Sequence, residues 1–129
     1  MDDVLLNKVA IIERCLSRAD EEFEKDWRNE FTIQDALILN VEKACQASID
    51  LAAHLIKVNK IGIPQTSREV FDILAQEGMI SLELSNNLKK MVGFRNIDVH
   101  DYSCPNLDVI ESIMHCPIRD LSKFAKIFL

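Results

Sequence analysis

At 129 residues, nearly half of them hydrophobic, the chain is long enough to build one domain around its own core without disulfide or metal staples. Three glycines and three prolines are too few for the many turns of an all-β fold. A formal charge of −6 excludes a generic polyanion binder, so any contact with RNA has to be local or completed by a second chain.

The first helix is expected from about Asp2 to Phe23. Leu5, Val9, Ile12 and Leu16 recur at spacings of three and four, and Val4, Ile11 and Cys15 widen the stripe. The opening "MDDVLLNKVAII" is acidic rather than basic and has no small-residue cleavage site, which predicts a cytoplasmic chain without a secretion signal. The charged stretch "ADEEFEKDWRNEF", with the single tryptophan Trp27, reads as a frayed helix end and a corner.

Thr32, with Asp35 three residues on, reads as the cap of a second helix. That helix runs to about Asn59 through Ala36, Leu39, Val41, Ala44, Ala47, Leu51 and Leu55. Asp50, His54, Lys57 and Lys60 interrupt its apolar run, so no membrane span is expected. His54 reads as a surface residue. Gly62 and Pro64 end the helix. Thr66 or Ser67 then caps a short third helix, "SREVFDILAQEG", stopped by Gly78. Ser81 caps a fourth, and Pro105 separates it from a fifth, about Leu107 to Phe128, which Pro117 kinks or splits in two. The sum is an all-α, up-and-down bundle of about five helices, one domain spanning residues 1–129.

Cys15, Cys45, Cys104 and Cys116 form no CxxC pair and read as buried, reduced thiols. His115 beside Cys116 lacks a second ligand pair, so no metal site is expected.

The fourth helix carries the chemistry. On a regular helix Leu84, Leu88, Met91, Arg95, Val99 and Tyr102 fall within about 40° of one line. An arginine on an inward-looking line is costly without a partner, so there the stripe either meets a cleft, a phosphate or another subunit, or the guanidinium snorkels to solvent. His100 stands about 140° from Arg95 on an ideal helix, too far for both to reach one small ligand unless the helix distorts or two chains share the site. Asn96, four residues before His100, is placed to hydrogen-bond the imidazole and fix its tautomer. Met91, Phe94 and Val99 offer an apolar patch for an interface between copies.

The segment "MVGFRNIDVHDY" resembles the signature of the HepT-like proteins of the HEPN superfamily, with "EKACQASIDLAAHLI" and "GIPQTSREVFDIL" extending the resemblance over nearly the whole chain. The resemblance implies a homodimeric, metal-independent ribonuclease whose signatures face each other across a cleft. Arg95 would then stabilise the charge of the transition state. His100 would act as general acid or base on the 2′-hydroxyl or the leaving 5′-oxygen, and Asn96 would orient the site. It also implies a toxin silenced by a nucleotidyltransferase antitoxin that transfers AMP to Tyr102, whose added charge would repel an RNA phosphate.

Asp98 stands where the family more commonly carries a small or apolar residue. It lies beside Arg95 and Tyr102 on a helix, where it either attenuates the nuclease by pairing with Arg95 and repelling RNA or points to solvent. The competing function is a non-catalytic helical module that uses the same cleft to bind a nucleotidyltransferase or its nucleotide. Glu42 and Asp50 on the second helix are further candidates to line that cleft.

Overall fold

A computed structural model describes residues 2–98 and 107–129, and for residues 94–98 it gives the helical course of the backbone alone. Six helices stand among these residues: α1 (Asp3–Phe23), α2 (Phe31–Asn59), α3 (Glu69–Gln76), α4 (Leu82–Asp98), α5 (Leu107–His115) and α6 (Arg119–Ile127). The expected all-α bundle is present. The predicted fifth helix is two, because Pro117 opens a turn between α5 and α6 in which Ile118, fully buried, donates its N–H to the Ile113 carbonyl at 3.0 Å.

Local chemistry sets the helix ends. Asp2 caps α1, its Oδ1 accepting from the Leu5 N–H at 3.1 Å. Ser81 caps α4 in the same way, accepting from the Leu84 N–H at 3.1 Å. Ahead of α3, Thr66 accepts from the Glu69 N–H while the Glu69 carboxylate accepts from the Gln65 N–H, both at 3.2 Å, a reciprocal pair close to a capping box. Thr32 does not cap α2. The helix begins one residue before it, from an extended Glu30 that makes no side-chain cap bond. The corner supplies the anchor instead, with the Gln34 side chain donating to the Trp27 carbonyl at 3.4 Å.

The end of α2 also differs from expectation. Lys60 itself takes the left-handed conformation (φ 54°), ahead of Gly62 and Pro64. The Ile61 N–H then reaches the Ile56 carbonyl at 3.2 Å, so the lost helical bonds are replaced while Ile61 packs on the core. Gly78 (φ 74°) ends α3 by the same geometry, the Met79 N–H bonding the Leu74 carbonyl at 3.0 Å.

The two longest helices run antiparallel. His54 near the end of α2 donates to Asp2 at 2.6 Å, and Lys8 pairs with Asp50 at 3.6 Å. His54 is therefore a half-buried clamp on the start of α1 rather than a free surface residue, and Asp50 is turned toward α1. Against this pair α6 lies antiparallel to α1, through Arg119 to Asp20 and Ser122 to Glu13. Phe124 of α6 meets Phe71 of α3 edge to face, with ring centroids 5.6 Å apart. Lys89 ties α4 to α3 by donating to Asp72 at 2.7 Å.

The core takes Val9, Ile12, Cys15 and Leu16 from α1, as their spacing predicts, whereas Val4 is exposed. On α2, Val41, Ala44, Ala47, Leu51 and Leu55 are buried but Leu39 faces out, because α1 covers only part of the helix's circumference there. The Trp27 corner is packed, not frayed: Trp27 is buried beside Phe23 at 5.8 Å, and Arg28 lies over its ring at 4.9 Å while pairing with Asp108 and Glu111 of α5. Cys15 and Cys45 are buried thiols, but Cys116 is exposed, since the turn at Pro117 carries it off the core side of α5. Cys104 lies outside the described residues. No described helix is long and apolar enough to cross a membrane.

Candidate functional site

Helix α4 carries the first part of the signature, residues 91–98. Leu84, Leu88 and Met91 are each at most 4% exposed, and Val92 and Ser85 beside them are also buried. Met91 is thus part of the core and unavailable to an interface patch, because α4 turns that face onto the bundle. The helix continues without a break through Asp98. Its phase places the backbone of Arg95 on the line of Leu84, Leu88 and Met91, with Asn96 about 100° round the axis and Asp98 one turn on from Arg95. These three expected site residues therefore ride on one helix whose first half is locked into the core. Their side chains, and that of Phe94, lie outside the described residues, as do Val99, His100 and Tyr102 in their entirety.

Immediately N-terminal to that turn, a cavity of about 560 Å³ opens between α4 and the α5–α6 corner. Asn87, Lys90, Met91 and Gly93 form its α4 wall, and Ile113 and Pro117 face them. Arg68, just before α3, reaches across it, and a Cβ built on Gly93 would stand 2.7 Å from the Arg68 Nη2. The absence of a side chain at Gly93 is what admits the guanidinium to the helix face. Neither Arg68 nor Lys90 enters an ion pair among the described residues. Asp120 lines the same cavity; burial raises its pKa above the usual carboxylate value, and Lys123 partly opposes the shift.

The chemistry available here is recognition rather than bond breaking. Two cations stand over apolar walls, a combination suited to a phosphate and its attached base. His100, the acid–base group expected from the sequence, lies outside the described residues. Among the described residues no three His, Cys, Asp or Glu side chains converge as a metal site would require. Arg68 and Lys90 were not foreseen from sequence, where a basic residue at the start of α3 and another in the middle of α4 look like any solvated charge. Of the two acidic residues proposed for a cleft on α2, Asp50 is instead engaged by Lys8 and Gln46.

Comparison with known proteins gives this geometry its context. The family model described as Ribonuclease HepT-like matches residues 6–127. The curated mRNA nuclease HepT of Shewanella oneidensis is 43% identical over 126 residues, covering 96% of this chain and 95% of that protein. A solved structure of a tri-AMPylated Shewanella oneidensis HEPN toxin in complex with MNT antitoxin is similar at TM-score 0.92 and 42% identity, covering 99% of this chain and 98% of that one. A crystal structure of a toxin–antitoxin with AMP-PNP is similar at TM-score 0.92 and 40% identity, with 98% of each chain covered. A cytosolic Bacillus subtilis protein at 19% identity and TM-score 0.79, covering 97% of this chain and 87% of that one, shares the fold alone.

Proposed function

Because this chain belongs to the HepT-like ribonuclease family, we propose that it is a metal-independent endoribonuclease toxin, one HEPN-like domain acting in the cytoplasm as a homodimer. The observation that carries this reading is identity of 43% to an mRNA nuclease over almost the full length of both chains, in a sequence that holds Arg95 and His100 in the signature.

In the reaction the 2′-oxygen attacks the adjacent phosphorus and the bond from phosphorus to the 5′-oxygen breaks, leaving a 2′,3′-cyclic phosphate and a 5′-hydroxyl. One proton leaves the 2′-oxygen and one arrives at the 5′-oxygen. His100 handles one of these transfers, imidazole being the side chain type suited to them, and Asn96 holds its ring. Arg95 faces the pentacoordinate phosphorus, where fixed positive charge is worth several kcal/mol, roughly 3 by comparison with other preorganised donors. Two signatures meeting across a dimer cleft overcome the wide angle between Arg95 and His100 on a single helix. Core anchoring of α4 through Leu84, Leu88 and Met91 supports the reading, since it limits how far Arg95 can drift from a bound phosphate.

The toxin is held in check by a nucleotidyltransferase antitoxin, as in the type VII arrangement. The Tyr102 hydroxyl attacks the α-phosphorus of ATP, pyrophosphate leaves, and an AMP group remains on the tyrosine. Its charge then repels the RNA phosphate. Asp98 moderates the activity by competing for Arg95. The test is cleavage of cellular RNA with a chelator present, before and after incubation with the antitoxin and ATP. Cleavage that stops only when both are supplied, with a mass gain of one or more AMP groups on Tyr102, is the expected result. No cleavage by unmodified chain would favour the non-catalytic binding module.

A further inference from the structure

We infer that the groove between α1 and α2 is a track for the phosphodiester backbone of the single-stranded RNA substrate, gripping the strand away from the bond that is cut. The inference rests on the ribonuclease reading and adds to it a binding surface outside the signature. The groove encloses about 400 Å³. Arg14 and Arg18, one turn apart on α1, line it with Lys43 of α2, and all three side chains are exposed.

The charges around the groove are divided in an informative way. On a chain of net charge −6, three of the neighbouring α1 carboxylates are engaged elsewhere: Glu13 accepts from Ser122, Asp20 pairs with Arg119, and Glu22 pairs with Lys25, while Glu21 is exposed and does not line the groove. Among the described residues Arg14, Arg18 and Lys43 enter no ion pair and no carboxylate lines the groove. Three like charges gathered with no counter-charge in the groove lining repel one another, and an anion with several charges in a row complements them.

The remaining lining residues suit RNA. Asn40 donates its Nδ2 to the Ala36 carbonyl at 2.8 Å, which fixes the amide and leaves Oδ1 to accept from a 2′-hydroxyl. Leu39, 49% exposed, gives a ribose or base an apolar face. Among the described residues no aromatic ring lines the groove, so these residues track backbone and show little preference among bases. It shares no lining residue with the cavity at α4, so it adds contacts to a long strand.

The experiment measures binding, which does not depend on cleavage. The His100→Ala chain and the same chain carrying Arg14→Ala, Arg18→Ala and Lys43→Ala are titrated with a single-stranded RNA of about 20 nucleotides across a range of salt. Loss of three phosphate contacts should lower the slope of log K against log salt by about 2 and weaken binding about 100-fold near 0.1 M salt. A control carrying Lys25→Ala, Lys89→Ala and Lys126→Ala removes the same charge elsewhere and should lose far less. Equal losses in the two triple variants, or none in either, would overturn the inference, as would loss of affinity for the nucleotidyltransferase with RNA binding intact. Cleavage by the unsubstituted chain is scored separately: its failure would sink the ribonuclease reading and leave the binding arm to judge the groove.

Discussion

Arg68 lays its guanidinium on the face of α4 at Gly93, the Nη2 standing 2.7 Å from where a Cβ on that glycine would be. The contact is with the mobile end of a long side chain, so Gly93→Ala should push Arg68 aside rather than strain the backbone. Alanine is also the better helix former by up to about 1 kcal/mol. Thermal denaturation should therefore show Tm unchanged or raised by about 3–5 °C. A clear fall would mean that Arg68 is held firmly against the helix.

Phe124 is the aromatic hub of the bundle. It is fully buried and meets Phe71 at 5.6 Å and Phe128 at 5.4 Å, both edge to face. Phe124→Ala should cost about 3–5 kcal/mol, the range for emptying an aromatic site in a packed core. Urea unfolding monitored by helical circular dichroism would read this as a large drop in midpoint, and a loss under about 1 kcal/mol would indicate that the core collapses into the space.

Asp120 makes a pH-dependent prediction. Burial raises its folded pKa above the ordinary 3.8, so its contribution to stability is fully present below that value and is lost as pH rises through the folded pKa. Asp120→Asn removes the penalty. The variant should melt above the parent at pH 7 and converge with it near pH 3 to 4, about the ordinary carboxylate range. A variant less stable than the parent at pH 7 would show that Lys123, not burial, governs this carboxylate.

Asp98 is expected to restrain the nuclease. If its carboxylate competes with phosphate for Arg95, Asp98→Ala should raise the rate of RNA cleavage about tenfold, a barrier change of ~1.4 kcal/mol. Initial rates on one defined RNA would settle the matter, and equal rates would place Asp98 in solvent.

The bundle was legible in the sequence because buried positions recur at helical spacing: Val9, Ile12 and Leu16 on α1 and Leu84, Leu88 and Met91 on α4 all proved to be core. Caps with a hydroxyl or carboxylate on the right residue, as at Ser81, were equally legible. Thr32 misled because the Trp27 corner, a tertiary feature, decides where α2 begins. Lys60 was missed because nothing local marks a lysine for the left-handed region; Ile61 packing against the core holds it there. At the site, the register of Arg95 on α4 followed from periodicity. Arg68, Lys90 and the basic groove did not, since each needs residues from separate helices to meet.

Nuclease activity of this chain is expected to depend on His100. The most direct measurement is cleavage of total cellular RNA, with a chelator present, by the purified chain and by its His100→Ala form. Fragmentation by the first and none by the second is the predicted result; intact RNA with the unsubstituted chain, or equal cutting by both, would contradict it.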